Sequence, residues 1–451
     1  MKVFPEDAAF QVGEVGFDTK DESGRLLDLL GRKKLGQRIS TLLERIEQPL
    51  VVALNGGWGT GKSHFLKLWT GAHRLENKGT AHILYFDAFE HDYLDDPLIS
   101  LVSAVLTQPT GAPWRKAGLD KLKSSALRLL KPGLRIGLAV ATAGATELAG
   151  AVLNEGLKAA QAEAKDTIDD FWKKETGRVA AMNEFRDGLK ELTSPEKGAN
   201  KPRKIIFIVD ELDRCRPDYA LTLLEIIKHF FAVPNVHFVL GANLDALENS
   251  VKSRYGSGID AAQYLQKFIH LNVGFPVRQK HDGDGVWSEY LDHLGSDMGI
   301  PRQRIDMTKE QLHLIARKHP VSLRDIQRLA SRLSVLPADF ERYQWGYATI
   351  VLTALILHVL SPIHYASLRA GRIQMADIDE IFSLAVAKEA GDRAGELMLH
   401  GWRRLLLDDP GEETIEMTRN AFDRLSSRNR KANIEAILAD ILDVFHFPEV
   451  T

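Results

Sequence analysis

The sequence predicts an α/β fold: a mostly parallel sheet interrupted by a large helical insert and followed by an all-helical C-terminal half. Three observations predict it. Strand-like runs recur at 50–54, 82–87, 205–209, 236–240 and 269–273, and the continuous apolar run 50–54 reads as a strand buried on both faces. Helical patterns separate them, as expected when parallel strands are joined by crossover helices. After Pro276 strand signals nearly vanish, and the chain reads as helices broken at Gly299–Pro301, Pro320, Pro337, Pro362 and Pro410.

Taken in order, residues 1–24 lack periodicity and read as an arm. A helical pattern starts at Arg25 with Leu26, Leu29 and Leu30. It breaks near Gly31, resumes through Leu35, Ile39, Leu42, Leu43 and Ile46, and ends at Pro49. Leu50–Leu54 is the first strand, and Phe65, Leu66, Leu68 and Trp69 mark the helix after it. His82–Asp87 is the second strand. A long stretch, about 98–200, is almost wholly helical. Ile205–Val209, Val236–Leu240 and Ile269–Val273 complete the sheet. The expected organisation is a core over 25–277 containing that insert, then helical regions 278–345 and 346–451. Ala348–Leu360 is very apolar but short, contains His358 and stops before Pro362, so it is expected to be a buried core helix.

Composition narrows the class. With 451 residues, 44% hydrophobic and 26% charged, the chain is ordinary globular protein with room for two or three domains. A net charge of -3 makes no global case for nucleic-acid binding. Cys215 is the one cysteine, so an internal disulfide and a thiolate metal cluster are both excluded, and a reducing compartment is expected. Acidic residues near the N-terminus, Glu6 and Asp7, stand where a secretory signal needs a basic head. The expected location is the cytoplasm.

The chemistry is concentrated in two segments. Gly56-Gly57-Trp58-Gly59-Thr60-Gly61-Lys62-Ser63, continued by His64, matches the G-x-x-x-x-G-K-[ST] spacing between a strand and a helix. The glycines let the backbone turn its N–H groups onto phosphate oxygens, and the helix N-terminus favours an anion. Lys62 would reach the β- and γ-phosphates, and the Ser63 hydroxyl would ligate Mg²⁺. The alternative is a chance glycine turn. The second segment is Ile205–Val209 with Asp210-Glu211 at its carboxyl end, the edge at which open α/β sheets bind ligands. Asp210 would hold magnesium through water, and Glu211 would accept a proton from the attacking water. Two surface acids at a strand end are the alternative. Asp213 and Arg214 read as an ion pair organising the loop before Pro217 at least as well as they read as catalytic.

Two further residues are candidate sensors. Asn243, just past the fourth strand, would sense the γ-phosphate or orient the water; it reads equally as a helix cap. Arg324, with Arg328 on the same helix face, would stabilise transition-state charge; a solvated basic face is the alternative. Ser322 is expected to cap that helix.

These residues resemble a known family. Asp28-Leu29-Leu30-Gly31-Arg32, the loop with Trp58, Asp210-Glu211-Leu212-Asp213-Arg214-Cys215 with Pro217, Phe238–Gly241 leading to Asp245-Ala246-Leu247, and Tyr264–Ile269 are together similar to the KAP family of P-loop NTPases. The resemblance runs from about 25 to 335. It implies an ATPase core of the ASCE type, related to the AAA+ and STAND groups, with a helical lid that here is 278–345. It implies ATP and Mg²⁺ as cofactors, places Arg32 near the adenine, and puts many bacterial members in phage defence with partner proteins. Asn243 stands where the family has an acidic residue.

The family commonly carries transmembrane helices between its two motifs, which directs attention to the insert. Leu134–Leu153 has about the 20 residues a span needs, with Gly133, Gly137, Ala141, Ala145 and Ala149 in a small-residue stripe. Arg135 and Glu147 oppose a span, at roughly 2.5–3.5 kcal/mol each near a helix centre. A close-packed soluble helix at a subunit or partner interface is therefore expected. The basic segment 115–135 could touch nucleic acid or anionic lipid, but a solvated face is favoured. The expected function is an ATPase driving a conformational or assembly switch, with protein partners or a homo-oligomer. The alternatives are a nucleotide-gated binding module with little turnover and, more weakly, a small-molecule kinase.

Overall fold

The computed structural model describes residues 12–21, 24–94, 96–106, 116–129, 168–195, 201–275, 286–319, 321–342, 345–384, 388, 391–422 and 434–439. By contact the chain forms two units. The sheet unit comprises residues 10–57 and 62–275, and the helical unit comprises 58–61 and 276–451 together with the first nine residues.

The sheet unit holds five strands: β1 (Leu50–Asn55), β2 (His82–Asp87), β3 (Ile205–Asp210), β4 (Val236–Ala242) and β5 (Leu271–Gly274). All pairings are parallel and the spatial order is β2-β3-β4-β1-β5. This is the predicted α/β P-loop sheet. β4 separates the strand before the glycine loop from the acidic strand, so their two carboxyl ends flank a crevice.

Alternation sends successive side chains of each strand to opposite faces. Ile206, Ile208, Val239, Val52 and Leu54 face α1 (Lys33–Arg45) and α2 (Lys62–Leu75), which contribute Ile39, Leu43, Phe65, Leu66 and Trp69. Ile205, Phe207, Val209, Phe238 and Leu240 face the other way. There they meet α3 (Pro97–Leu106), α4 (Lys116–Leu129), α5 (Ile168–Thr193), α6 (Pro217–Phe230) and α7 (Leu244–Tyr255). Phe207 stacks on Phe238 with centroids 4.8 Å apart, and Phe231 stands edge-on to both. Each such buried ring contributes roughly 1.5–3 kcal/mol.

The described parts of the insert are helical, as predicted. α4 and α5 run antiparallel, with ion pairs Lys121–Glu191 and Arg128–Glu184. Gly118 and Gly188 let them approach: a Cβ on Gly118 would lie 3.1 Å from the Gly188 carbonyl. Leu134–Leu153 lies outside the described residues. Among the described residues no helix is long and apolar enough to cross a membrane.

One expectation is corrected. The helix predicted from Arg25 begins only at Lys33. Leu26 instead pairs with Lys20 in an antiparallel bridge, and Gly31 has a φ of 60°. The Asp28 carboxylate then accepts the N–H groups of Arg32 and Lys33, both at 2.9 Å, which starts the helix there.

The far end of α1 is fixed by charge. The Lys204 ammonium donates to the carbonyls of Leu43, Glu44 and Ile46 at 3.0, 2.7 and 2.6 Å. Glu44 accepts from the N–H groups of Thr80 and Ala81 at 2.6 and 2.9 Å and contacts His73 at 3.1 Å. Burial alone would raise its carboxyl, but the bonds from His73, Ala81 and Thr80 outweigh it and bring it down to about 2. The folded value lies below the unfolded one. The stabilisation is therefore complete above about pH 4.5 and disappears as pH falls towards 2. After allowance for solvent screening it is on the order of 1–2 kcal/mol. Urea titrations of Glu44→Gln should show a midpoint lower than wild type at pH 7, and a gap that shrinks as pH falls from about 4.5 towards 2. An undiminished gap at the acid end would contradict this role.

The helical unit is built from α9 (Val286–Met298), α10 (Arg302–Ala316), α11 (Leu323–Ser334), α12 (Trp345–Leu360), α13 (Pro362–Arg369), α14 (Met375–Phe382), α15 (Arg393–Leu406) and α16 (Glu412–Phe422); a short α8 (Ala261–Leu265) closes the helices of the sheet unit. One core runs through it from Trp287 to Leu438. α12 is buried almost throughout, as its composition predicts.

Candidate nucleotide site

The glycine loop leaves β1 and enters α2 at Lys62. Its start is tied to β4: Gly56 N–H donates to the Ala242 carbonyl at 3.3 Å, and Asn55 Oδ1 accepts Leu244 N–H at 3.0 Å. Gly59 and Gly61 have φ of 73° and 84°, a region that side chains disfavour, which is why these positions are glycine. The Lys62 ammonium donates to the carbonyls of Gly56 and Gly57 at 2.5 and 3.0 Å, so it already sits over the loop. Trp58, Gly59, Thr60 and Gly61 group with the helical unit, where Leu323 N–H donates to the Gly59 carbonyl at 3.0 Å. Trp58 is 54% exposed.

Asp210 ends β3 with 1% of its surface exposed. Its Oδ2 accepts the Tyr85 hydroxyl at 2.7 Å and its Oδ1 accepts Glu211 N–H at 2.9 Å, and the Ser63 hydroxyl favours its charged form electrostatically. Burial raises its carboxyl, and those three groups oppose the rise. Gly241 on β4 makes room: a Cβ there would lie 2.5 Å from Asp210 Oδ1. Ser63, at the start of α2, and Asp210 offer two hard oxygen donors, the type magnesium takes. Tyr85, on β2, is held above its usual range by burial and by the Asp210 charge, and so stays a donor.

Glu211 turns the chain off the strand with a φ of 57°. Its carboxyl is pushed up by burial, against Arg214 and with the help of Asp87 and Asp210. Arg214 Nη1 lies 2.9 Å from both carboxylate oxygens, forming an Arg214–Glu211 ion pair. Asp87, level with Asp210 in the ladder, adds a third carboxylate to this edge.

The remaining predicted residues divide. Arg32 is buried, its guanidinium 3.8 Å from the Phe275 ring centroid, and burial lowers it to about 10 despite Asp28. His64 Nε2 lies 3.0 Å from the Leu27 carbonyl. Asn243 stands at the same sheet edge but caps α7, its Oδ1 accepting Asp245 N–H at 3.2 Å. Arg324 opens α11 in the helical unit behind the predicted Ser322 cap, which forms a reciprocal pair of bonds with Asp325. Sequence reasoning missed Tyr85, Asp87 and Gly241. The only signal was a hydroxyl and an acid inside the apolar run 82–87.

The model of the KAP family P-loop domain matches residues 32–339. Among solved structures, a match is the ORC2 protein of Aeropyrum pernix in ADPNP–ADP complexes. It is 13% identical, with 98% of this chain and 97% of that one covered and a TM-score of 0.32. No curated protein matches.

Proposed function

This chain belongs to the KAP family of P-loop NTPases, and from that premise we propose that it binds ATP with magnesium and hydrolyses it to drive a conformational or assembly switch. The observation that carries the reading is that the Lys62 ammonium sits over the glycine loop, bonded to the Gly56 and Gly57 carbonyls, while Asp210 stands buried at the end of β3 with Glu211 next in the chain. The loop and the acidic pair leave the carboxyl ends of β1 and β3, which β4 alone separates.

Backbone N–H groups of the loop and of the α2 N-terminus would bind the phosphates. Lys62 would exchange the Gly56 and Gly57 carbonyls for β- and γ-phosphate oxygens. Ser63 directly, and Asp210 through water, would hold magnesium, which supplies charge neutralisation on those oxygens. Glu211 would take the proton of the attacking water, and its raised carboxyl suits a base better than an ordinary carboxylate. To do so it must leave Arg214. Arg32 and His64 are proposed to border the base, and Asn243 and Arg324 to respond to the γ-phosphate. The switch would act on protein partners or on further copies of the chain in the cytoplasm; a role in anti-phage defence rests on the family resemblance alone.

The test is product analysis of purified protein incubated with ATP or GTP, with magnesium or with EDTA. Magnesium-dependent ADP and free phosphate are expected, with ATP preferred. Tightly bound, unhydrolysed ATP would instead favour a nucleotide-gated binding module, and a phosphorylated small molecule a kinase.

A further inference from the structure

We propose that Tyr85 is a positioning residue that fixes the Asp210 carboxylate for its metal ion, an inference that rests on the magnesium-dependent reading above. Tyr85 comes from β2, the edge strand beside β3, and its hydroxyl donates to Asp210 Oδ2 at 2.7 Å. The other oxygen, Oδ1, is held by Glu211 N–H at 2.9 Å. One oxygen is thus tied to the neighbouring strand and the other to its own backbone, which sets the plane of the carboxylate.

Asp210 is 1% exposed, so bulk water does not compete for its lone pairs. On the β4 side the absent side chain of Gly241 leaves the room that Oδ1 occupies, since a Cβ there would meet it at 2.5 Å. Ser63, whose hydroxyl favours the charged carboxylate electrostatically, is the proposed direct ligand. Without the phenol, Oδ2 would lose its one protein donor on the β2 side, and a buried oxygen without a donor drives the side chain to reorient. The Lys67 ammonium of α2 lies 5.8 Å from the Tyr85 ring centroid. Partners that orient metal ligands from behind typically change metal affinity by about 10–100-fold when removed.

Tyr85→Phe keeps the ring and removes only the hydroxyl. Three quantities separate positioning from general support: Mn²⁺ affinity of the ATP-analogue-loaded protein by electron paramagnetic resonance, the Mg²⁺ concentration for half-maximal phosphate release, and ATP-analogue affinity in EDTA. The first two should weaken about tenfold, with metal-free nucleotide affinity and the thermal midpoint close to wild type. The inference is overturned if metal dependence stays within about twofold of wild type, or if metal-free nucleotide affinity falls by the same factor, since Tyr85 would then only support the loop. A wild-type protein that binds and turns over ATP identically with and without metal would remove the magnesium reading and the inference with it. A metal-dependent wild type matched by Tyr85→Phe would remove the inference alone.

Discussion

Lys62→Ala is expected to abolish nucleotide binding at working concentrations. The ammonium lies over the loop, bonded to the Gly56 and Gly57 carbonyls, and is 8% exposed. In the proposed complex it trades those two neutral acceptors for charged phosphate oxygens. Charge-assisted bonds contribute about 1.5–3 kcal/mol. The truncation removes the loop's clamp as well, so a loss at the upper end, about 100-fold in Kd, is expected. Calorimetry with a non-hydrolysable ATP analogue measures it, and the thermal midpoint of the unliganded protein shows whether the loop survives. An affinity within about threefold of wild type would remove Lys62 from the phosphate site.

Glu211→Gln is expected to leave binding intact and to cut turnover by about 10²–10⁴-fold, the range for losing a general base. The amide is isosteric and still offers one acceptor to Arg214, so the turn after β3 should persist. It has no charge with which to accept a proton. Stopped-flow binding together with steady-state phosphate release separates the two effects. Unchanged turnover would sink the assignment of Glu211.

The glycine loop was legible because its chemistry is written in consecutive residues: strand, turn, Lys62, Ser63, helix. The sheet was legible for a related reason. Strands buried on both faces need unbroken apolar runs, and Ile205–Val209 has no other use in a globular chain. What escaped depends on residues distant in sequence. Tyr85 reaches Asp210 only because β2 and β3 are neighbours, and no local pattern encodes that adjacency. Gly241 looks like a strand-end glycine until Asp210 is seen packed against it. The start of α1 was misread because its hydrophobic spacing extends back to Leu26, while the Asp28 carboxylate begins the helix at Lys33. Asn243 carried two readings from sequence. Its bond to Asp245 N–H places it as a cap, and a response to the γ-phosphate would require that bond to open.

The central claim is that Asp210 and Glu211 complete a water-activating site beside the glycine loop. It is tested most directly by identifying the nucleotide each protein retains after mixing with γ-labelled ATP and magnesium and rapid removal of free ligand. Wild type should retain ADP with label released as phosphate, and Glu211→Gln should retain intact ATP at comparable occupancy. Intact ATP on both proteins, with no phosphate formed by either, would contradict the claim.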